Sequence, residues 1–278
     1  MLISSFSINK LAENSCREVF CTGLFLSARW FVVSQYDYDG IQLIVLPDKD
    51  SAEYCAADLY NLIEGDRVFF LPDSGKSLEK SNYKSTLGVQ RTSAIGKILD
   101  HKDGVLVVVT YASALEEKIP DASSIRNSVL KLSQGDEISH EDIVDSLFSA
   151  GFERVDFVSE PGQFAIRGAI VDIFSYSYND PFRVSFFGDE IDSINVFDCN
   201  TQLSKEKVVT AEIYPDIVAE EGECESFMNI TDILPEETLV WLDSSDMYKE
   251  KEFFKDLSRF RRIYLDLPLG RQDEMTVK

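Results

Sequence analysis

Histidine is nearly absent from this chain, whose 278 residues contain only His101 and His140. Zinc centres and Ser-His or Cys-His catalytic pairs therefore have almost no raw material, and neither a metal site nor a catalytic residue is expected. The five cysteines (Cys16, Cys21, Cys55, Cys199 and Cys224) are sparse and odd in number and include no C-x-x-C pair, which points to reduced thiols and a cytoplasmic location. Positive charge is equally short. Against 49 Asp and Glu stand 27 Lys and Arg, a net charge of −22, so direct contact with nucleic acid would work against a repulsive field and is not expected. No apolar run approaches the length that spans a bilayer, and the stretch from Met1 to Lys10 lacks the basic and apolar segments of a secretory signal, so no membrane partner is expected.

The length suggests about two domains. Acidity is concentrated towards the C-terminal end: residues 1–120 carry 12 basic and 16 acidic side chains, residues 121–205 carry 6 and 15, and residues 206–278 carry 9 and 18. There is no internal repeat and no low-complexity tract. The acidic stretch Glu220, Glu221, Glu223 and Glu225 reads as a solvated loop.

The first third alternates strands and helices. Ile41 to Leu46 is a short apolar run closed by Pro47, and Asp50 with Glu53 predicts a capping box for a helix carrying Leu59, Leu62 and Ile63 and ending at Gly65. Val68 to Leu71 follows as a strand, Val105 to Thr110 as one buried on both faces, and Ser113 to Lys118 as a short helix, together a parallel α/β layer.

Beyond residue 121 the pattern changes. Ile138, Ser139, Asp142 and Ile143 sit where a helix needs its staple and N-cap, and that helix continues to Gly151. The segments Glu153 to Val158, Phe164 to Phe174, Arg183 to Phe187 and Ile191 to Phe197 follow, joined by Pro-Gly, Asn-Asp-Pro and Gly-Asp signals too short for crossover helices, so antiparallel neighbours are expected. The expected fold is α/β: a degenerate RecA- or helicase-like parallel base from residues 1–120 and 206–278, with an inserted antiparallel α+β domain at 121–205. Strands at Leu239 to Leu242 and Ile263 to Leu265, flanking a helix near Met247 to Phe260, complete the base.

Two places invite a nucleotide-binding reading. Gly75, Lys76 and Ser77 match the last three letters of the phosphate loop, but the first glycine's position falls on Phe70 inside a strand, so a surface turn is the preferred reading. At the second, Gly23 keeps the first glycine while Ala28, Arg29 and Trp30 stand where Gly, Lys and Ser/Thr are required. Ala28 adds a methyl where backbone must approach phosphate, Arg29 replaces the lysine, and Trp30 has no hydroxyl for magnesium. By itself Gly23 reads as a turn glycine, and no cofactor is expected in this chain.

Alternation along Phe182 to Phe187 puts Phe182, Val184 and Phe186 on a core face and Arg183, Ser185 and Phe187 on the other. The same reading of Phe164 to Phe174 turns Arg167 outward and Phe164, Ile166, Ile170 and Phe174 inward, with Val171 and Ile173 out of step. Arginine and exposed aromatics are enriched at protein–protein hot spots, so Arg167, Arg183 and Phe187 are candidate protein-binding residues. Periodicity leaves a second reading open, in which Arg183 is merely solvated and Phe187 is covered by a neighbouring domain. Asp189, Glu190 and Asp192 lie too close to the turn at Gly188 for a catalytic pair and read as turn formers and partners for nearby arginines.

The stretch from Glu160 to Phe174 (EPGQFAIRGAIVDIF), the stretch from Phe182 to Ser193 (FRVSFFGDEIDS), Val196 to Asp198, and Thr201 with Gln202 resemble the second domain of bacterial transcription-repair coupling factors, a domain shared in outline with the UvrB subunit of nucleotide excision repair. The resemblance spans roughly residues 137–205. Val68 to Asp73 and Val107 to Leu115 resemble, more loosely, the family's N-terminal helicase-like layer. Between the two relatives the degenerate loop at Gly23 to Trp30 favours the coupling factor, whose N-terminal module lacks ATP binding; UvrB keeps a working loop and an aromatic DNA hairpin, which the region from 83 to 130 lacks.

The resemblance implies a UvrB-like module that recruits UvrA through its sheet surface, with Arg167, Arg183 and Phe187 at the positions implicated in that contact. It also implies intramolecular masking by a C-terminal domain of the full-length protein. RNA-polymerase contact and a translocase motor would lie in domains beyond this chain, which on this reading is a fragment. The enzyme-class alternative is a UvrB-type ATP-dependent damage-recognition subunit. It implies nucleotide-dependent stabilisation and salt-sensitive DNA binding, and the charge of −22 speaks against it. A third reading confines the patch to intramolecular docking. For the leading one, magnesium-dependent ATP turnover by this chain, followed as phosphate release, is expected to stay at background.

Overall fold

A computed structural model describes residues 17–21, 24, 27–36, 38–75, 82–217, 226–243 and 251–265. Along the chain run β1 (Glu18–Phe20), α1 (Ala28–Gln35), β2 (Gly40–Leu46), α2 (Lys49–Leu62), β3 (Val68–Leu71), α3 (Asn82–Asp100), β4 (Val105–Tyr111), α4 (Ala112–Glu116), β5 (Lys118–Pro120), α5 (Ala122–Ser128), β6 (Leu130–Ser133) and α6 (His140–Ser149). There follow β7 (Glu153–Arg154), β8 (Gln163–Arg167), β9 (Ile170–Ile173), β10 (Phe182–Phe187), β11 (Glu190–Phe197), β12 (Ser204–Val208), β13 (Thr210–Ile213), β14 (Phe227–Asn229), β15 (Leu239–Leu242), α7 (Glu252–Asp256) and β16 (Arg261–Tyr264). The backbone divides into two compact units, one of residues 1–73, 97–118 and 229–278 and the other of 74–96 and 119–228.

The first unit is built on a sheet in the order β1-β16-β15-β2-β4-β3, every pair parallel. The reason lies in β2 and β4, which are apolar on both faces and almost wholly buried, as strands sandwiched between helices must be. Gln42 is the polar exception inside β2. It accepts the indole N–H of Trp241 at 2.9 Å and donates to the Tyr36 carbonyl at 3.4 Å, so both its amide oxygen and its amide nitrogen have a partner. The cap of α2 lies two residues earlier than the sequence suggests. Asp48 follows Pro47 in an extended conformation and accepts the Ser51 amide at 2.8 Å, leaving Asp50 inside the first turn. The expected helix near Met247 to Phe260 is described only from α7 onward, followed by a 3₁₀ turn at Leu257–Arg259.

The second unit holds a sheet in the order β12-β11-β10-β9-β8-β7, antiparallel from β8 to β12. Two expectations are corrected here. The expected strand Phe164 to Phe174 is instead a hairpin, because Gly168, at φ +61°, and Ala169 turn the chain between β8 and β9. That turn puts Val171 and Ile173 in the core and removes the conflict in the single-strand reading. The β7 strand is only two residues long and pairs parallel to β8, although the intervening connection contains no helix.

One face of this sheet packs against α6. Ile143 and Leu147 meet Phe164, Val171, Ile173, Phe182, Val184, Phe186, Ile191 and Ile194, with Leu132, Ala211 and Ile213 from the β6–β13 pair. Ser139 caps α6 as the sequence suggests, accepting the Asp142 amide at 3.1 Å, and Ile138 packs on the same core as Ile143. Burial raises the Cys21 thiol to about 11 and the Cys55 thiol further, which keeps both protonated near neutral pH. Among the described residues no helix is long and apolar enough to cross a membrane.

Gly162, in the turn that delivers the chain into β8, combines φ +83° with the Tyr176 side chain packed where a Cβ would stand. Gly162→Ala is therefore expected to destabilise the chain by about 1–3 kcal/mol, read as a fall in the denaturant midpoint with the slope unchanged.

Candidate docking face

The other face of the β8–β11 sheet carries the candidate residues, and cross-strand pairing fixes which of them meet. One row runs Ala165, Asp172, Arg183 and Asn195, the next Arg167, Ile170, Ser185 and Ser193. Alternation along β10 holds as read from the sequence: Phe182, Val184 and Phe186 are buried, Arg183 and Ser185 are half-buried, and Phe187 is exposed. The register slips by one residue between Ser185 and Phe186, just before the turn at Gly188.

Asp172 organises the face. It is only 1% exposed, and a carboxylate so placed requires charge partners and hydrogen bonds. Arg183 supplies them bidentately, Nε donating to Oδ1 at 2.8 Å and Nη2 to Oδ2 at 2.9 Å, and Arg167 Nη2 donates to Oδ2 as well. These bonds hold the Arg183 guanidinium above its ordinary pKa, the hydrogen bond to Asp172 being the largest cause. Arg183 is only 17% exposed in its side chain. It lies 4.1 Å over the Phe197 ring and donates to the Gln202 side-chain oxygen at 2.9 Å and carbonyl at 3.3 Å. That pins the loop 198–202, which Asp198 closes by accepting the Asn200 and Thr201 amides, and in which Gln202 takes φ +62°.

The structure thus brings Arg167 and Arg183 together on one carboxylate and leaves Phe187, 83% exposed, beyond them at the start of the β10–β11 turn opposite Glu190. The expectation that Asp189, Glu190 and Asp192 partner these arginines is corrected: both guanidiniums turn to Asp172, which is nearer and shielded from water. The residues missed in the sequence are Asp172, Gln202 and Phe157. Phe157 is 62% exposed, with the Arg167 guanidinium 5.2 Å from its ring centroid.

Ala28, Arg29 and Trp30, expected from the sequence to close a degenerate phosphate loop, belong to the first unit. Gly23 lies outside the described residues, as do Lys76 and Ser77. Ala28, Arg29 and Trp30 open α1 after Ser27, whose side chain makes no cap but donates to Asp58 at 2.7 Å. Arg29 is ion-paired to Asp243, just past the end of β15, and stacks 4.8 Å from the Trp30 ring, while Trp30 is buried in the core. Gly75 is buried with φ +61°. Among the described residues no group of three or more His, Cys, Asp and Glu could hold a metal ion.

Residues 130–218, which include this antiparallel sheet and the helix behind it, match the UvrB interaction domain family. Beyond that segment the chain is similar to transcription-repair-coupling factors. It is 29% identical to the Bacillus subtilis protein over 75% of this chain and 18% of that one, and 26% identical to the Staphylococcus aureus (strain USA300) protein over 90% and 22%. To the Escherichia coli (strain K12) protein it is 34% identical over 45% and 11%. The chain spans between about a tenth and about a fifth of the length of these curated relatives, which it covers to 18%, 22% and 11%.

Removing Arg183 would leave Asp172 with a single partner in a site closed to water. Arg183→Ala is expected to destabilise the second unit by about 3 kcal/mol. A thermal melt of the purified chain checks this, and Arg183→Lys is expected to recover only part of the loss because an ammonium cannot make the bidentate pair.

Proposed function

We propose that this chain recruits a UvrA-type repair protein to stalled transcription complexes, through the free face of the β8–β11 sheet and without hydrolysing nucleotide. The observation that carries the reading is Phe187. A large apolar side chain 83% exposed at the end of a hairpin, beside the arginine-clamped row and inside the segment matching the UvrB interaction domain, has the residue type and placement of a contact for another protein.

The parallel base acts in this proposal as a scaffold descended from a helicase-like layer. The Arg29–Asp243 ion pair supports it: the side chain at the lysine's place in the loop is already neutralised by a carboxylate, and the residue at the hydroxyl's place is packed in the core. The chain then needs no cofactor and makes no direct contact with nucleic acid, in keeping with its net charge of −22. RNA-polymerase contact, DNA translocation and masking of the docking face by a C-terminal domain fall to other parts of a full-length protein.

Calorimetric titration of purified UvrA against the chain tests the proposal. Wild type is expected to bind, and Phe187→Ala to bind about tenfold more weakly with an unchanged melting temperature, since the ring makes little contact in the free chain. Unchanged affinity would remove Phe187 from the interface. Stabilisation by magnesium-ATP would favour a UvrB-type ATPase instead.

A further inference from the structure

We infer that Phe157, with Arg167 stacked on it, is a second anchor of the docking face, and that it seats in an apolar recess of the partner flanked by a carboxylate. The inference rests on the proposed UvrA-docking reading and adds the chemistry of the surface that must meet it.

The segment carrying Phe157 is held from both sides. Val158 is buried with Ala165, Phe174 and Phe197 in a small cluster on the free face of the sheet, and Val155 packs against the same cluster. Its amide also donates to the Phe164 carbonyl at 2.9 Å. Phe157 is thus presented outward from a fixed backbone on the same side of the sheet as Arg167, Arg183 and Phe187. An aromatic side chain on such a support loses little conformational entropy on docking, a condition for a strong contact.

Exposed apolar side chains are common on any protein. The other exposed rings of this unit that make ring contacts lean on aromatic neighbours, Phe148 on Phe164 at 5.1 Å and Tyr178 on Phe182 at 4.9 Å. Phe157 is different because its neighbour is a cation. Arg167 keeps 36% of its side chain exposed, and its Nε is buried without a hydrogen-bond partner. Asp172 is already shared with Arg183, so two guanidiniums face one carboxylate and the pair carries one surplus positive charge on a strongly acidic chain. A partner carboxylate beside an apolar recess satisfies both demands at once, and a cation over an aromatic ring gains as water is expelled.

The test is titration of UvrA against wild type, Phe157→Ala, Phe157→Trp and Phe157→Glu, with melting temperatures measured alongside and Phe187→Ala as reference. Phe157→Ala is expected to weaken binding about fivefold or more with no shift in melting temperature. Phe157→Trp should bind like wild type. Phe157→Glu should bind more weakly than Phe157→Ala, because its carboxylate competes for Arg167. Should Phe157→Ala and Phe157→Glu both bind like wild type while Phe187→Ala is weakened, the second anchor is overturned and the docking proposal stands. No binding by the wild-type chain overturns both.

Discussion

A single buried carboxylate fixes the arrangement of the candidate docking face. Asp172 is closed to water on the free side of the sheet, where an unpaired carboxylate would be costly, so two arginines that would otherwise lie solvated along neighbouring strands are drawn onto it. Arg183 gives both ends of its fork to Asp172 and uses two further guanidinium N–H groups to tie down Gln202 and with it the loop after β11. The same group lies over Phe197, part of the small cluster that pins residues 155–158 to the sheet. One ion pair thus sets the positions of a loop, a short segment and a second arginine, and the hairpin end with Phe187 is left free.

This division has a consequence for how the face should be read. Arg183 is mostly structural in the free chain: its donors are committed and its side chain is mostly covered. Phe187 has almost no structural duty. Arg167 lies between them, with one donor on Asp172, an unpartnered Nε and its guanidinium over the Phe157 ring. Residues of one apparent patch therefore differ in kind, and truncating each to alanine measures different quantities. For Arg183 the loss of a buried pair dominates; for Phe187 the loss of contact area does.

Much of the fold was legible from local pattern. The apolar runs that became β2, β3, β4 and β15 were plain because strands buried on both faces leave little ambiguity, and Ser139 announced α6. The 19-residue helix α3 was not legible. Its sequence is rich in Ser, Thr and Gly, and the two glycines are explained only by tertiary contact: Gly88 lies against the Asp216 carboxylate and Gly96 against Tyr214 and Ser177, where a side chain would crowd them. Propensity argues against a helix there, and packing overrides it.

The candidate site was legible in its outline and hidden in its chemistry, for a reason of parity. Residues 167 and 172 are five apart, so on one continuous strand their side chains point to opposite faces and could not meet. The two-residue turn at Gly168 and Ala169 sets Arg167 opposite Ile170, and Asp172 then shares a face with both arginines. Asp172 could be recognised only after the hairpin was, and a lone Gly168 among β-branched residues was the available signal. Phe157 was hidden by the reverse error. A strand from Glu153 to Val158 would place Val155 and Phe157 on one face, whereas regular pairing stops at Arg154, Val155 and Val158 both turn inward, and Phe157 is left outside. In both places the alternation rule was sound and the element boundary was wrong, so the error lay in which residues share a face. That is the information on which any account of docking depends.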